Sequence, residues 1–193
     1  MIPSELKAAL RADRLAVRDA MTSGEREAAS RQMLLHAGDT LELRPGEIVS
    51  GFSPIRSEVD VAPLMNRLQL RGARICVPAV LDRETIVFRE IVAGAPLVPT
   101  GFGTFGPNDN APLVDPDIML VPLSAFDRMG QRIGYGAGYY DRAIERLRAK
   151  GRKPRLIGIA FDCQEVASVP AEPHDVALDA ILTESGLRTF GRE

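Results

Sequence analysis

The chain has no tryptophan, two cysteines, two histidines and only 5% aromatic residues among its 193. Two cysteines are too few for a disulfide framework. Cys76 and Cys163 each sit in or beside an apolar, strand-like run, so buried thiols in a reducing compartment are expected. His36 and His174 make no standard zinc spacing with them. A strong charge of one sign is also missing. The net charge of −2 gives no global attraction to nucleic acid or an anionic membrane, and any basic site must be local. No apolar run approaches the ~20 residues of a membrane span, and the stretch MIPSELKAALRADR lacks the hydrophobic centre of a signal peptide. Ser124 lies in no nucleophile elbow and no Ser-His-Asp order is present, which sets hydrolase chemistry aside. A cytoplasmic protein acting on small molecules is expected, without nucleic-acid or membrane partners.

What is present is an ordinary globule, 45% apolar and 26% charged. At this length one domain over residues 1–193 is the simplest organisation, able to bury about 70% of its unfolded surface. Pro3-Ser4 starts a helix whose apolar stripe is Leu6, Leu10, Val17 and Met21. Thr22 to Glu25 is a capping box for a second helix ending near His36. Strands are expected over 48–52, 73–77 (stopped by Pro78), 85–90, 118–121, 155–161 and 180–183, with a helix capped by Asp60 and closed by Gly72. Residues 93–117, crowded with Pro, Gly, Asn and Asp, read as a long ordered loop or lid. Strands alternating with helices imply an α/β fold: a three-layer domain with a mainly parallel sheet and helices on both faces.

The most informative stretch runs from Pro122 to Leu147. A short apolar strand leads into a loop where Gly134, Gly136 and Gly138 alternate with Tyr135 and Ala137, and a helix follows. Strand, glycine loop and helix form a cradle for phosphate, because backbone N–H groups can approach an anion at a helix N-terminus. It is not a P-loop, since no Lys-Ser/Thr pair follows, and G-x-G-x-G is one residue short of a dinucleotide fingerprint. The full G-x-G-x-x-G string occurs at Gly101, Gly103 and Gly106, but Pro99 and Pro107 flank it and no helix can start there. Elsewhere, Lys7, Arg11, Arg14 and Arg18 recur at spacings of four, three and four, sharing one helical face. Spacing alone favours a solvated face over a triphosphate site. Asp141, at the loop–helix junction, has the ordinary reading of an N-cap. Glu58 follows a strand end, and a carboxylate there also suits a helix N-terminus.

Phe126-Asp127, Gly130, Arg132, Gly134, Gly136 and Gly138-Tyr139-Tyr140-Asp141 together resemble the signature of the 5-formyltetrahydrofolate cyclo-ligase (5,10-methenyltetrahydrofolate synthetase) family. Lys7-Ala8-Ala9-Leu10-Arg11 is similar to the family's N-terminal block, Glu58-Val59-Asp60 to its E-x-D segment, and His174-Asp175 to its C-terminal acidic segment. The blocks fall in family order across nearly the whole chain.

The resemblance implies an enzyme that converts 5-formyltetrahydrofolate to 5,10-methenyltetrahydrofolate, with ATP as co-substrate, Mg²⁺ as cofactor and a monomeric state. It implies ATP binding by Lys7, Arg11, Arg132, Ile133, Gly134, Tyr135, Gly136, Ala137, Gly138, Tyr139 and Tyr140, with Arg132 also catalytic. Folate would meet Ser53, Glu58, Tyr135, Gly136, Ala137, Gly138 and Tyr139, and Mg²⁺ would meet Asp141 and Asp175, with Asp179 a competitor for the second place. Arg14 and Arg18 receive no role. Family members often carry Gly or Lys where this chain has Ala137, and the long loop keeps only a Gly-Pro skeleton at Gly106-Pro107. Phe102 and Phe105 could stack on folate or pack in the core. A non-catalytic folate- or nucleotide-binding module and a phosphotransferase with another acceptor stand as alternatives.

Overall fold

The computed structural model describes residues 3–101, 104–173 and 175–191. Helix α1 spans Pro3–Ala20 and α2 Ser23–Ala37. Strand β1 (Ile48–Ser50), α3 (Ala62–Leu70), β2 (Arg74–Val80) and β3 (Ile86–Glu90) follow. Next come β4 (Leu97–Gly101), β5 (Thr104–Pro107), β6 (Ile118–Pro122), β7 (Ala125–Phe126) and β8 (Arg132–Ile133). The chain closes with α4 (Tyr139–Ala149), β9 (Arg155–Ile159), a 3-10 turn at Asp162–Gln164, β10 (Ala180–Thr183) and β11 (Gly186–Thr189). Seven strands form one sheet in the order β11-β10-β9-β6-β1-β2-β3. The inner pairs are parallel; β11 and β3 run antiparallel at the edges.

Side-chain alternation along the strands divides the core in two. Val49, Leu120, Ile157 and Leu182 pack beneath Met33 of α2 and Leu64 and Leu68 of α3. Ile48, Met119, Val121 and Ile181 point the other way, against Ala143, Ile144 and Leu147 of α4. This is the expected three-layer α/β arrangement, and it explains why these strands read as continuous apolar runs. Leu120 is fully buried, and truncating it to Ala would cost about 2–5 kcal/mol. The capping box forms as expected: Thr22 Oγ1 accepts from Glu25 N, and Glu25 Oε2 accepts from Thr22 N at 2.7 Å.

Several local expectations are corrected. Leu6 and Val17 of the supposed apolar stripe are 38% and 36% exposed, while Arg18 is buried. Helix α1 therefore turns its basic face inward, where loop carbonyls and carboxylates await it. Strand β2 continues through Pro78. Ile91 N donates to Ile75 O, so Pro78 and Phe88 form a non-hydrogen-bonded pair and the proline nitrogen points away from β3, towards the side where β1 has already ended. The cap of α3 is Val61, although Asp60 Oδ1 accepts from Ala62 N at 3.0 Å. Residues 93–117 are not one loop but contain the β4–β5 hairpin. Gly101 and Gly106 of the G-x-G-x-x-G string belong to that hairpin; Phe102 and Gly103 lie outside the described residues, as does His174.

Candidate functional site

The connection from β6 to α4 is shaped before it reaches the glycines. Strands β7 and β8 pair, and the buried Asp127 ties the turn between them. Its Oδ1 accepts from Met129 N and Gln131 N at 2.9 and 3.0 Å, and its Oδ2 accepts from Val169 N at 2.8 Å. The glycine loop then crosses the C-terminal edge of the parallel sheet, where ligands of open α/β folds bind. Gly136 has φ +97, which an L side chain rarely adopts. Gly134 differs: its φ is not positive, and a Cβ there would meet no atom within 4 Å. The protein itself does not require glycine at 134; a ligand lying against the backbone would.

A cavity of about 500 Å³ opens beside this loop. Lys7, Arg11, Arg132, Ile133, Gly134, Gly136, Ala137, Gly138, Asp141 and Asp175 all line it. Asp179 is not part of its wall and instead accepts from Leu156 N at 2.8 Å. The cations and carboxylates hold one another. Lys7 Nζ lies 2.6 Å from both Asp175 Oδ2 and Glu172 Oε2. Burial works against its charge, yet the two carboxylates outweigh burial and hold the Lys7 pKa above its ordinary value. Arg11 Nε donates to Gly134 O at 2.7 Å, fixing the loop's entry. Arg132 Nη2 donates to Asp141 Oδ1 at 2.8 Å, and its buried Nε has no partner among the described residues. Arg132 thus lines the cavity with a permanently charged guanidinium, which suits an incoming anion.

Asp141 is not the helix cap. Gly138, left-handed with φ 66, takes that position without a side-chain bond, and Asp141 sits in the first turn facing Arg132. The solvated-face reading of the basic helix also fails: Lys7 and Arg11 line the cavity, Arg14 Nη1 donates to Cys163 O at 2.9 Å, and Arg18 is buried.

Ser53, Glu58, Tyr135, Tyr139 and Tyr140 stand outside the cavity wall. Ser53 Oγ donates to Phe105 O of the hairpin at 3.2 Å, and Phe105 is 59% exposed rather than packed in the core. Glu58 Oε2 accepts from Ile55 N at 2.8 Å. Burial raises the Glu58 pKa, opposed by hydrogen bonds from Tyr135 and Ile55 N and by the Arg18 charge. Tyr139 Oη reaches Asp82 O at 3.3 Å, and the Tyr140 hydroxyl is buried without a partner among the described residues. Burial pushes the Tyr140 pKa up. Cys76 is buried, its thiol pushed up to about 12, which makes it inert.

Sequence reasoning missed Glu172, which precedes Asp175 by one turn and shares Lys7, and Arg142, whose Nη2 donates to Ala137 O at 2.7 Å. The position of Arg142 one residue after the glycine–tyrosine motif was an available signal. Among the described residues, no group of three or more His, Cys, Asp or Glu gathers as a metal cage, and no helix is long and apolar enough to cross a membrane.

The model of the 5-formyltetrahydrofolate cyclo-ligase family matches residues 3–184. The chain is 28% identical to the 5-formyltetrahydrofolate cyclo-ligase of Haemophilus influenzae over 172 residues, 86% of this chain and 91% of that one. It is 32% identical to the Mycolicibacterium smegmatis protein of the same name, covering 93% of this chain and 92% of the relative. The NMR structure of Aquifex aeolicus 5,10-methenyltetrahydrofolate synthetase superposes with a TM-score of 0.80 at 29% identity, over 97% and 95% of the two chains. The synthetase from Mycoplasma pneumoniae gives 0.74 at 26% identity, over 92% and 98%.

Proposed function

This chain belongs to the 5-formyltetrahydrofolate cyclo-ligase family, and from that premise we propose that it closes 5-formyltetrahydrofolate to 5,10-methenyltetrahydrofolate at the expense of ATP. The observation that carries the reading is the convergence of Lys7, Arg11, Arg132, Gly134, Gly136, Ala137 and Gly138 on one cavity at a helix N-terminus. That donor set matches a triphosphate in charge and in the room left by Gly134.

The chemistry follows from the formyl group. It is an amide, and nitrogen donation makes its carbon a poor electrophile. Transfer of the γ-phosphoryl group to the formyl oxygen removes that resistance and releases ADP. N10 then attacks the carbon, its proton is lost, and phosphate leaves with the former formyl oxygen. Such a sequence needs no covalent nucleophile from the protein, only in-line positioning and neutralised phosphate charge. Arg132 supplies a nearly buried positive fork at the transferring phosphoryl group, while the loop N–H groups hold the remaining phosphates.

Two carboxylates, Asp141 and Asp175, line the same cavity, a donor set that fits an ion keeping water and phosphate oxygens as its other ligands. They would hold Mg²⁺, whose contribution when bound is neutralisation of phosphate charge. In the structure Arg132 answers Asp141 and Lys7 answers Asp175. Binding of a metal–nucleotide pair would free both cations for phosphate oxygens without leaving any charge unmatched. Outside that cavity, Glu58 would accept paired N–H bonds from the pterin amide and amino group, and Ser53, bonded to Phe105 O of the hairpin, shares its β1–α3 connection. Mixing the purified protein with Mg·ATP and 5-formyltetrahydrofolate should produce the near-ultraviolet methenyl absorbance and an equal amount of ADP. ADP formed only with a different acceptor would overturn the proposal.

A further inference from the structure

Arg18 is 1% exposed, yet among the described residues no carboxylate bonds it directly. Its Nε donates to Ser57 Oγ at 2.9 Å, and Ser57 Oγ in turn donates to Asp19 Oδ1. Its Nη1 donates to Tyr135 Oη at 2.7 Å, and the Tyr135 hydroxyl faces the Glu58 carboxylate closely enough to oppose the rise that burial gives its pKa. The buried charge is thus balanced by two acids at second hand, each reached through a hydroxyl. With its oxygen accepting from the guanidinium, the phenol has its proton left to offer the carboxylate. A methionine would fill the same volume without this demand, and a buried ionic network stabilises a fold little beyond an apolar equivalent.

What the network does achieve is a link between three segments. Tyr135 lies between Gly134 and Gly136, so its ring can move only with the phosphate-binding loop. Glu58 lies in the β1–α3 connection on the folate side. Arg11 grips the loop one residue earlier, at Gly134 O, from the same helix face.

We propose that Arg18 is a positioning residue that couples the two substrates: it fixes the Tyr135 hydroxyl, which orients Glu58, so that a glycine loop ordered by nucleotide presents a carboxylate already aimed for the pterin. The proposal rests on the functional reading above. It makes folate and nucleotide bind with positive, reciprocal cooperativity, each tightening the other by the same factor.

The test is isothermal titration of 5-formyltetrahydrofolate with and without a Mg²⁺-bound non-hydrolysable ATP analogue, using the wild type, Tyr135→Phe and Arg18→Lys. In the wild type the analogue should lower the folate Kd about tenfold, the size expected of one hydrogen bond to a charged group. Lysine keeps the charge but cannot reach both hydroxyls, and phenylalanine removes a single oxygen. In either variant the coupling should fall below about twofold, whatever change the variant makes to the analogue's own Kd. A residue with a merely structural role would shift affinities and leave the ratio intact. If Arg18→Lys does not fold, Tyr135→Phe alone decides. Wild-type coupling retained in the variants, or absent from the wild type, overturns the inference. A wild type that binds no folate and forms no methenyl product overturns the functional reading instead, and this inference with it.

Discussion

Two cavities lie at opposite ends of the same parallel sheet, and the larger one is not the candidate site. The cavity at the N-terminal strand ends, about 840 Å³, is lined by Arg44, Arg71, Arg152, Lys153 and Arg155 against Asp39, Glu42, Glu47 and Asp117, yet its charges are spent on the fold. Arg71 donates to Gly38 O and Leu41 O at 3.0 and 2.8 Å, tying the exit of α2. Arg155 stands 3.8 Å from Glu42, and Asp117 accepts from Ile48 N at 3.0 Å while facing Arg152 at 4.0 Å. Among the described residues, the 500 Å³ cavity at the C-terminal ends has in Gly134 a glycine whose missing side chain serves no internal contact, and in Arg132 a guanidinium whose buried Nε has no partner. Neither volume nor charge distinguishes the two. What separates them is whether the polar groups are satisfied by the protein or wait for something else.

The largest effect should come from Asp141→Asn. It removes a proposed metal ligand and leaves Arg132 without its acid, so kcat/KM for Mg·ATP should fall roughly 100-fold, with the folate KM within about threefold. Steady-state kinetics in both substrates checks this; equal losses on the two sides would erase the division between nucleotide and folate faces.

Next is Glu58→Gln, expected to raise the folate KM about tenfold and leave the ATP KM within twofold. Because burial raises the folded Glu58 pKa above its ordinary 4.5, the wild-type folate KM should climb as pH falls through a value higher than that of an exposed glutamate. The stability sign is the reverse of a salt-bridged acid. The folded state holds the proton more tightly, so wild-type stability falls as pH rises from about 4.5 through the raised pKa, and the Gln variant lacks that slope in chemical denaturation.

Gly134→Ala sharpens the contrast further. A methyl there meets nothing within 4 Å, so stability should stay within about 0.5 kcal/mol while the ATP KM rises several-fold. Gly136→Ala, at φ +97, should instead lose about 1 kcal/mol in addition to affinity, read from thermal melts. The smallest effect belongs to the other cavity. Arg152→Ala, removing an exposed 4.0 Å ion pair, should change stability by less than about 0.5 kcal/mol and leave both KM values unchanged.

The parallel core was legible because its strands carry apolar side chains to both faces, and the cap at Thr22 and the positive-φ Gly72 just past the Arg71 cap of α3 mark helix ends locally. The β4–β5 hairpin was not, since its prolines and glycines look like loop while pairing depends on the partner strand. Strand β11 is equally hidden: Gly186–Thr189 gains its structure only by joining β10. Of the site, the glycine loop, Arg132 and Asp141 are visible as a motif. The four cations of α1 were visible as a face, but spacing cannot say which way a face turns. Here the carboxylates of Glu172 and Asp175, the carbonyl of Gly134 and the hydroxyl of Tyr135 draw it inward, from more than 100 residues away in sequence. Asp141 had the local look of a cap, and only the tertiary approach of Arg132 reassigns it.

The proposed phosphorylation of the formyl oxygen makes one atom traceable. With 5-formyltetrahydrofolate carrying ¹⁸O in its formyl group, a single turnover with Mg·ATP should place the label in inorganic phosphate, one atom for each methenyl product, by mass spectrometry. Unlabelled phosphate, with the ¹⁸O released as water, would contradict the reaction assigned to this site.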